Sequence, residues 1–310
     1  CLSCCVLEIL SQKSFDEEMM NGIKEFSHRS IEVNGGGVSF IDVGSGPTLF
    51  LMHGIGGNSR SWQEQFKGLT SEYRIIAWDA PGYGNSALRN GTLADYVATA
   101  TGLLAALDVE HVNILGHSMG GVIAQGMAGS ERVKVDKLIL SSTFMGHGEP
   151  LAEALQAGYI SRLDDITSMS PEEFGRARAK SILASPPSEQ IYQEVAKIAS
   201  EVKKSWLLSA CEVLNYSDTS SFLKGFTKPV LIITGRHDKI ILPTRSSKMA
   251  AYIADVQHIE FENSGHAAYL EEPLAYNAAI KKLVIDLEAV SYTHLRAHET
   301  DSYLVCRLLL

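Results

Sequence analysis

The chain has 310 residues, 45% hydrophobic and 20% charged, enough to bury a continuous core in one large α/β domain or two small ones. Its formal net charge of −9 argues against nucleic acid or an anionic membrane as partner, since both need a basic face. No apolar run approaches the roughly 20 residues that span a bilayer, so a soluble protein is expected.

Residues 1–27 read as a poorly defined N-terminal extension. Cys1, Cys4 and Cys5 have no Cys/His pair at ligand spacing nearby, so no metal is expected there. The segment is no secretory signal, because it lacks a basic lead and Glu8 interrupts its short apolar stretch. Without an initiating Met, its first residues read as a fragment or a translation of non-coding sequence. Four of the five cysteines sit at the extremities and only Cys211 lies inside the expected fold. That is no disulfide framework, which favours a reducing, cytoplasmic setting.

From about residue 38 a rhythm begins of short apolar run, glycine-bearing loop and amphipathic stretch. The runs are Val38 to Val43, Thr48 to Met52, Arg74 to Trp78, Val112 to Leu115, Lys137 to Leu140, Val230 to Ile233 and Val256 to Phe261. Most are short, Val- and Ile-rich and bounded by turn residues, as strands buried on both faces should be. Helix-length segments lie between them at Ser59 to Leu69, Thr92 to Leu107, Met119 to Gly129 and Thr244 to Ile253. Pro273 then opens a last helix expected to end near Val290. This alternation predicts an α/β fold with a mostly parallel central sheet covered by helices on both faces, and ligands bound beyond the carboxyl ends of its strands.

The rhythm breaks between Ser142 and Lys228, where only helical patterns occur: Leu151 to Leu163, Pro171 to Leu183 and Ser188 to Leu214. An insertion of that length predicts a helical cap over the sheet, placed before the penultimate strand. The expected organisation is therefore a core of residues 28–144 and 226–290, a cap of 145–225, and a tail of 291–310. The tail has no periodicity and resembles vector or adapter read-through, so His294 and His298 are set aside as site residues.

Ser118 stands between the run Val112 to Leu115 and the helix carrying Val122, Ile123 and Met127, within Gly116-His117-Ser118-Met119-Gly120. A strand-to-helix turn forces such a serine into a strained backbone, with the flanking glycines letting neighbouring backbone pass. A serine hydroxyl needs a base, and the base an orienting acid. Asp238 follows the strand Val230 to Ile233, and His266 follows Val256 to Phe261 beside Gly265. Both lie beyond strand ends, in the order serine, acid, histidine. His258 lies within a strand and His237 adjoins the acid, so both are weaker candidates. An oxyanion would be met by the backbone amides of Ile55, in the glycine-rich loop after Thr48 to Met52, and of Met119. That loop lacks the Gly-Lys-Ser/Thr of a phosphate cradle and the third glycine of a dinucleotide fold.

His53-Gly54-Ile55-Gly56-Gly57, Asp79-Ala80-Pro81-Gly82-Tyr83-Gly84, Gly116 to Gly121, Gly235 to Asp238 and Gly265-His266 together resemble the α/β-hydrolase superfamily. The resemblance covers residues 28 to 290, and within the superfamily the chain is similar to 3-oxoadipate enol-lactonase-like proteins, carboxylesterases and C–C bond hydrolases. It implies Asp238 as triad acid and His266 as base, Asp79 as organiser of its loop, and no cofactor or metal. Ser118 departs from the aspartate nucleophile of dehalogenases and epoxide hydrolases. Ala267 stands where many aromatic C–C hydrolases have Trp.

The expected activity is hydrolysis of a small-molecule carboxylic ester or lactone through an acyl-enzyme. The alternatives are cleavage of a C–C bond in ring-fission diketones by the same triad, and a ligand receptor without turnover. His117, Met145, Tyr159 and Trp206 are candidate substrate contacts, although core packing is the stronger reading for Met145, Tyr159 and Trp206.

Overall fold

A computed structural model describes residues 26–88, 91–130, 132–184 and 188–296, with side chains to residue 284. The strands are β1 (Arg29–Val33), β2 (Gly36–Val43), β3 (Thr48–Met52), β4 (Arg74–Trp78), β5 (His111–His117), β6 (Lys134–Ser141), β7 (Val230–Gly235) and β8 (Val256–Phe261). They form one sheet in the order β1-β2-β4-β3-β5-β6-β7-β8, antiparallel at β1–β2 and β2–β4 and parallel from β4 to β8.

Side-chain alternation sorts the strands' apolar residues into two cores. On one face Phe50, Ile76, Trp78, Ile114, Leu138 and Ile232 pack with helices α2 (Leu93–Ala106) and α3 (Met119–Ala128). On the other, Leu49, Leu51, Ile75, Leu115, Ile139 and Ile233 meet α1 (Gln63–Leu69) and the final helix, which begins at Pro273. Both faces are dry, which is why these strands read as continuous apolar runs and not as alternating ones.

Between β6 and β7 the chain runs through α4 (Ala157–Ser168), α5 (Pro171–Ile182), α6 (Glu189–Ala199), α7 (Lys204–Tyr216) and α8 (Ser220–Gly225), with no strand among the described residues. α9 (Pro243–Met249) follows β7, then α10 (Ala268–Glu271) and α11 (Pro273–Arg296) follow β8.

Four local expectations need correction. β1 is an additional strand, polar on its exposed face and closed onto β2 by Asn34-Gly35, both at positive φ, the turn chemistry of a tight hairpin. The helix expected over Leu151 to Leu163 starts only at Ala157. The preceding segment is held to the end of α7, where Asn215 Oδ1 accepts from the Gln156 amide and the Asn215 carbonyl from the Glu149 amide. The stretch Ser188 to Leu214 is two helices, because Lys203 adopts extended backbone between α6 and α7. α11 continues to Arg296 instead of ending near Val290, for no Gly or Pro interrupts it. His294 is thus on that helix, and His298 lies outside the described residues, as do the tail from residue 297 and the extension up to residue 25.

Candidate active site

Ser118 follows β5 and stands at the N-cap of α3, with φ 53° and ψ −117°. Left-handed backbone at a non-glycine residue is strained, and the surroundings must over-determine it. They do so here. The Ser118 amide donates to the Ser141 carbonyl at 3.0 Å, and its own carbonyl accepts from Thr143 Oγ1 at 2.7 Å. A Cβ on Gly120 would lie 2.1 Å from the Met52 carbonyl oxygen, and one on Gly116 would lie 2.4 Å from that of Gly120. Those two glycines are what let β3, β5 and α3 meet at the turn.

His266 follows β8, and its Nδ1 lies 2.8 Å from Asp238 Oδ2, with both side chains almost wholly buried. An ionised carboxylate only accepts, so Nδ1 carries the proton and Nε2 keeps its lone pair. Asp238 Oδ1 is engaged as well, accepting from the amides of Ile240 at 2.8 Å and Ile241 at 2.9 Å. The His266 loop is clamped from two sides. Its amide donates to the Ile182 carbonyl at the end of α5, at 2.7 Å. Glu271 accepts from the amides of Gly265 and Ala184, tying the loop to the helical insertion. Partial burial raises the Glu271 pKa, while these amides act to lower it.

The His266 ring sits 4.7 Å from that of His117, the residue before Ser118. Ser118 Oγ and His266 make no hydrogen bond in this state; such catalytic bonds are often long until substrate is bound. A Cβ on Gly54 would lie 2.8 Å from Ser118 Cβ, so the glycine-rich loop after β3 passes directly against the serine. Among the described residues the Ile55 amide donates to no other protein group, and Met119, opening α3, has no intrahelical acceptor. A recess of ≈ 30 Å³ is lined by Gly54, Ile55, His117, Ile182, His266 and Tyr269, space enough to admit a water.

Two residues outside the expected site hold that loop. His53 Nε2 accepts from the Ala80 amide at 3.0 Å, which leaves Nδ1 to donate to the Gly54 carbonyl at 2.9 Å. Burial lowers the His53 pKa, so the neutral ring is the state that fits. Asp79 accepts from the amides of Ser59 and Asn85 and so fastens two loops together. His53 was legible only as part of the glycine-rich segment, because its role depends on β4 arriving alongside.

The four candidate substrate contacts separate. His117 lines the recess, its ring also 5.0 Å from Tyr269, and burial holds its pKa well below the usual histidine value. Tyr159 is buried edge-on to His147 at 5.6 Å, Trp206 packs 5.9 Å from Tyr83, and Met145 is half-buried against the core. None of those three lines the recess beside His266.

A buried parallel sheet, a strained serine at a strand-to-helix turn and a histidine–carboxylate pair beyond later strand ends define a class of hydrolytic enzyme. The alpha/beta hydrolase fold family model matches residues 47–273, and the chain belongs to that family. It is 26% identical over 265 residues to (E)-2-((N-methylformamido)methylene)succinate hydrolase of Acinetobacter baylyi, covering 78% of this chain and 92% of that one. It is 27% identical over 252 residues to pimeloyl-[acyl-carrier protein] methyl ester esterase of Vibrio parahaemolyticus, covering 78% and 96%. The enol-lactonase of Burkholderia xenovorans superposes with a TM-score of 0.74 at 20% identity, over 83% of this chain and 99% of that one. Among the described residues no helix is long and apolar enough to cross a membrane.

Proposed function

We propose that this enzyme hydrolyses a carboxylic ester or lactone of a small molecule through an acyl-enzyme on Ser118. The observation that carries the reading is the buried 2.8 Å pair of His266 and Asp238, with the His266 ring 4.7 Å from that of the residue preceding a serine held at φ 53°. Ser118 Oγ attacks the carbonyl carbon while His266 Nε2 accepts its proton, and Asp238 stabilises the imidazolium through Nδ1–H. The amides of Ile55 and Met119 receive the oxyanion, each such donor being worth roughly 100- to 1,000-fold in rate. His266 then protonates the departing alkoxide, and a water activated by the same nitrogen releases the acid and restores Ser118.

Helices α4 to α8 act as the cap that shapes the acyl pocket, with His117 beneath it and Met145, Tyr159 and Trp206 on its inner surface or in its packing. The name of one similar protein, a methyl ester esterase, supports this substrate class. The test is Ser118→Ala on p-nitrophenyl acetate together with fluorophosphonate labelling. Turnover and labelling should both vanish; a variant that kept full activity and still labelled would refute the assignment.

A further inference from the structure

Ser118 and Met119 share one planar trans peptide group, in which the Ser118 carbonyl and the Met119 amide point in opposite directions. Whatever fixes the carbonyl therefore also fixes where the amide points. The Ser118 carbonyl accepts from Thr143 Oγ1 at 2.7 Å, from the Gly121 amide at 2.9 Å and from the Val122 amide at 3.3 Å. The two amides belong to the first turn of α3, as at any helix start. The Thr143 hydroxyl is a donor that the helix itself does not supply.

Thr143 is wholly buried and held on every side. The chain reaches it from β6 through Ser142, a second non-glycine residue at positive φ (45°), whose amide donates to the Ile233 carbonyl at 2.8 Å. The Thr143 carbonyl accepts from Ser246 Oγ of α9 at 2.6 Å. The next carbonyl, that of Phe144, accepts from Gln125 Nε2 of α3 at 3.0 Å. Gln125 Oε1 accepts in turn from Thr219 Oγ1, at the head of α8, at 2.6 Å. Gln125, Thr219 and Ser246 are themselves wholly buried, so this network is shielded from water, where hydrogen bonds are strongest.

The Thr143 side chain is fitted as closely as its backbone. A Cβ on Gly121 would lie 2.5 Å from Thr143 Oγ1 and 2.6 Å from its Cβ and Cγ2. The glycine after Gly120 is thus what admits a threonine against the first turn of α3.

The consequence lies at the other end of the peptide plane. The Met119 amide opens α3 without an intrahelical acceptor. A hydrogen bond received by a carbonyl polarises its peptide group, so that the N–H of that group becomes a stronger donor. We infer that Thr143 is a positioning residue for the oxyanion donor: through the Ser118–Met119 peptide its hydroxyl aims and strengthens the Met119 amide. The inference rests on the serine-hydrolase reading and deepens it, because Thr143 acts through Met119 and not on the substrate.

The experiment sets turnover of p-nitrophenyl acetate beside inhibition by trifluoroacetone. Ser118 Oγ adds to the carbonyl carbon of that ketone, its proton passes to His266 Nε2, the carbonyl electron pair becomes the oxyanion, and no group leaves. Thr143→Val keeps the branched shape and removes the hydroxyl, while the Ser118 carbonyl retains its two helical donors. It should lower kcat and kcat/KM about tenfold each, the scale of one hydrogen bond, with KM little changed. Trifluoroacetone should bind more weakly by the same factor. Thr143→Ser should restore both constants, and Ser246→Ala, which frees the Thr143 carbonyl, should lower both by a smaller, matching factor. A packing role alone would lower stability without moving the two constants in step. A cooperatively melting Thr143→Val with wild-type kcat and wild-type inhibition would overturn the inference, as would a loss of kcat with inhibition unchanged. If Thr143→Val does not fold, wild-type constants in Ser246→Ala overturn it. Wild-type enzyme that neither turned over the ester nor bound trifluoroacetone would overturn the serine-hydrolase reading, and this inference with it.

Discussion

Replacing Asp238 by Asn changes one atom and no volume, so its effect reports hydrogen-bond direction alone. Asp238 has both oxygens committed, Oδ2 to His266 Nδ1 and Oδ1 to the amides of Ile240 and Ile241. Asparagine has one oxygen for these two duties. If its oxygen stays on the two amides, the NH2 group faces Nδ1. His266 must then accept there and carry its proton on Nε2, where it cannot take one from Ser118. If the amide flips, the ring is correct but two buried N–H groups face an NH2. Hydrogen bonds to a charged group contribute about 1.5–3 kcal/mol each, so the flip costs about 3–6 kcal/mol, or about 10²- to 10⁴-fold in kcat. The assay is kcat on p-nitrophenyl acetate at pH 7.5, beside a thermal melt that confirms folding. A folded Asp238→Asn enzyme within five-fold of wild type would refute the reasoning.

Glu271→Ala releases the amides of Gly265 and Ala184 that fix the His266 loop; kcat should fall about tenfold, the scale of one hydrogen bond, with KM little changed in steady-state kinetics. Gly120→Ala would set a Cβ 2.1 Å from a carbonyl oxygen and should destabilise by about 3 kcal/mol, the upper range for overpacking, measured by urea unfolding. His53 and His117 are held neutral by burial, their folded pKa values lying below 6.5. The unfolded chain therefore binds more protons below pH 6.5, and stability is lost as pH falls through that window. Each contributes a loss of up to about 1.4 kcal/mol by pH 5.5. The melting temperature should drop between pH 7 and 5.5, less steeply in His117→Asn; a rise on acidification would contradict this.

The sheet was legible from β2 to β7 because those strands are largely buried, and apolar runs between glycine loops have few other meanings. Ser118, Asp238 and His266 could be marked for a related reason: strand ends locate loops, and loops beyond strand ends carry the chemistry. β1 escaped because a polar edge strand has no apolar run, although Asn34-Gly35 announced its hairpin. The insertion was legible as helical but not in its boundaries, since side chains from distant helices, such as Asn215, decide where α4 begins. The roles of His53 and Glu271 were hidden for the same cause. Each acts through a partner brought alongside only by tertiary packing.

A covalent acyl group on Ser118 can be trapped and read directly. Turnover of p-nitrophenyl acetate quenched in acid, digested and sequenced by mass spectrometry should yield an acetyl adduct on Ser118, absent from Ser118→Ala. The adduct should accumulate when water attack is slowed in His266→Ala after acylation by an activated ester. An acetyl group found instead on Ser142, the neighbouring strained serine whose hydroxyl is buried and unpartnered, or full turnover by Ser118→Ala, would contradict the account.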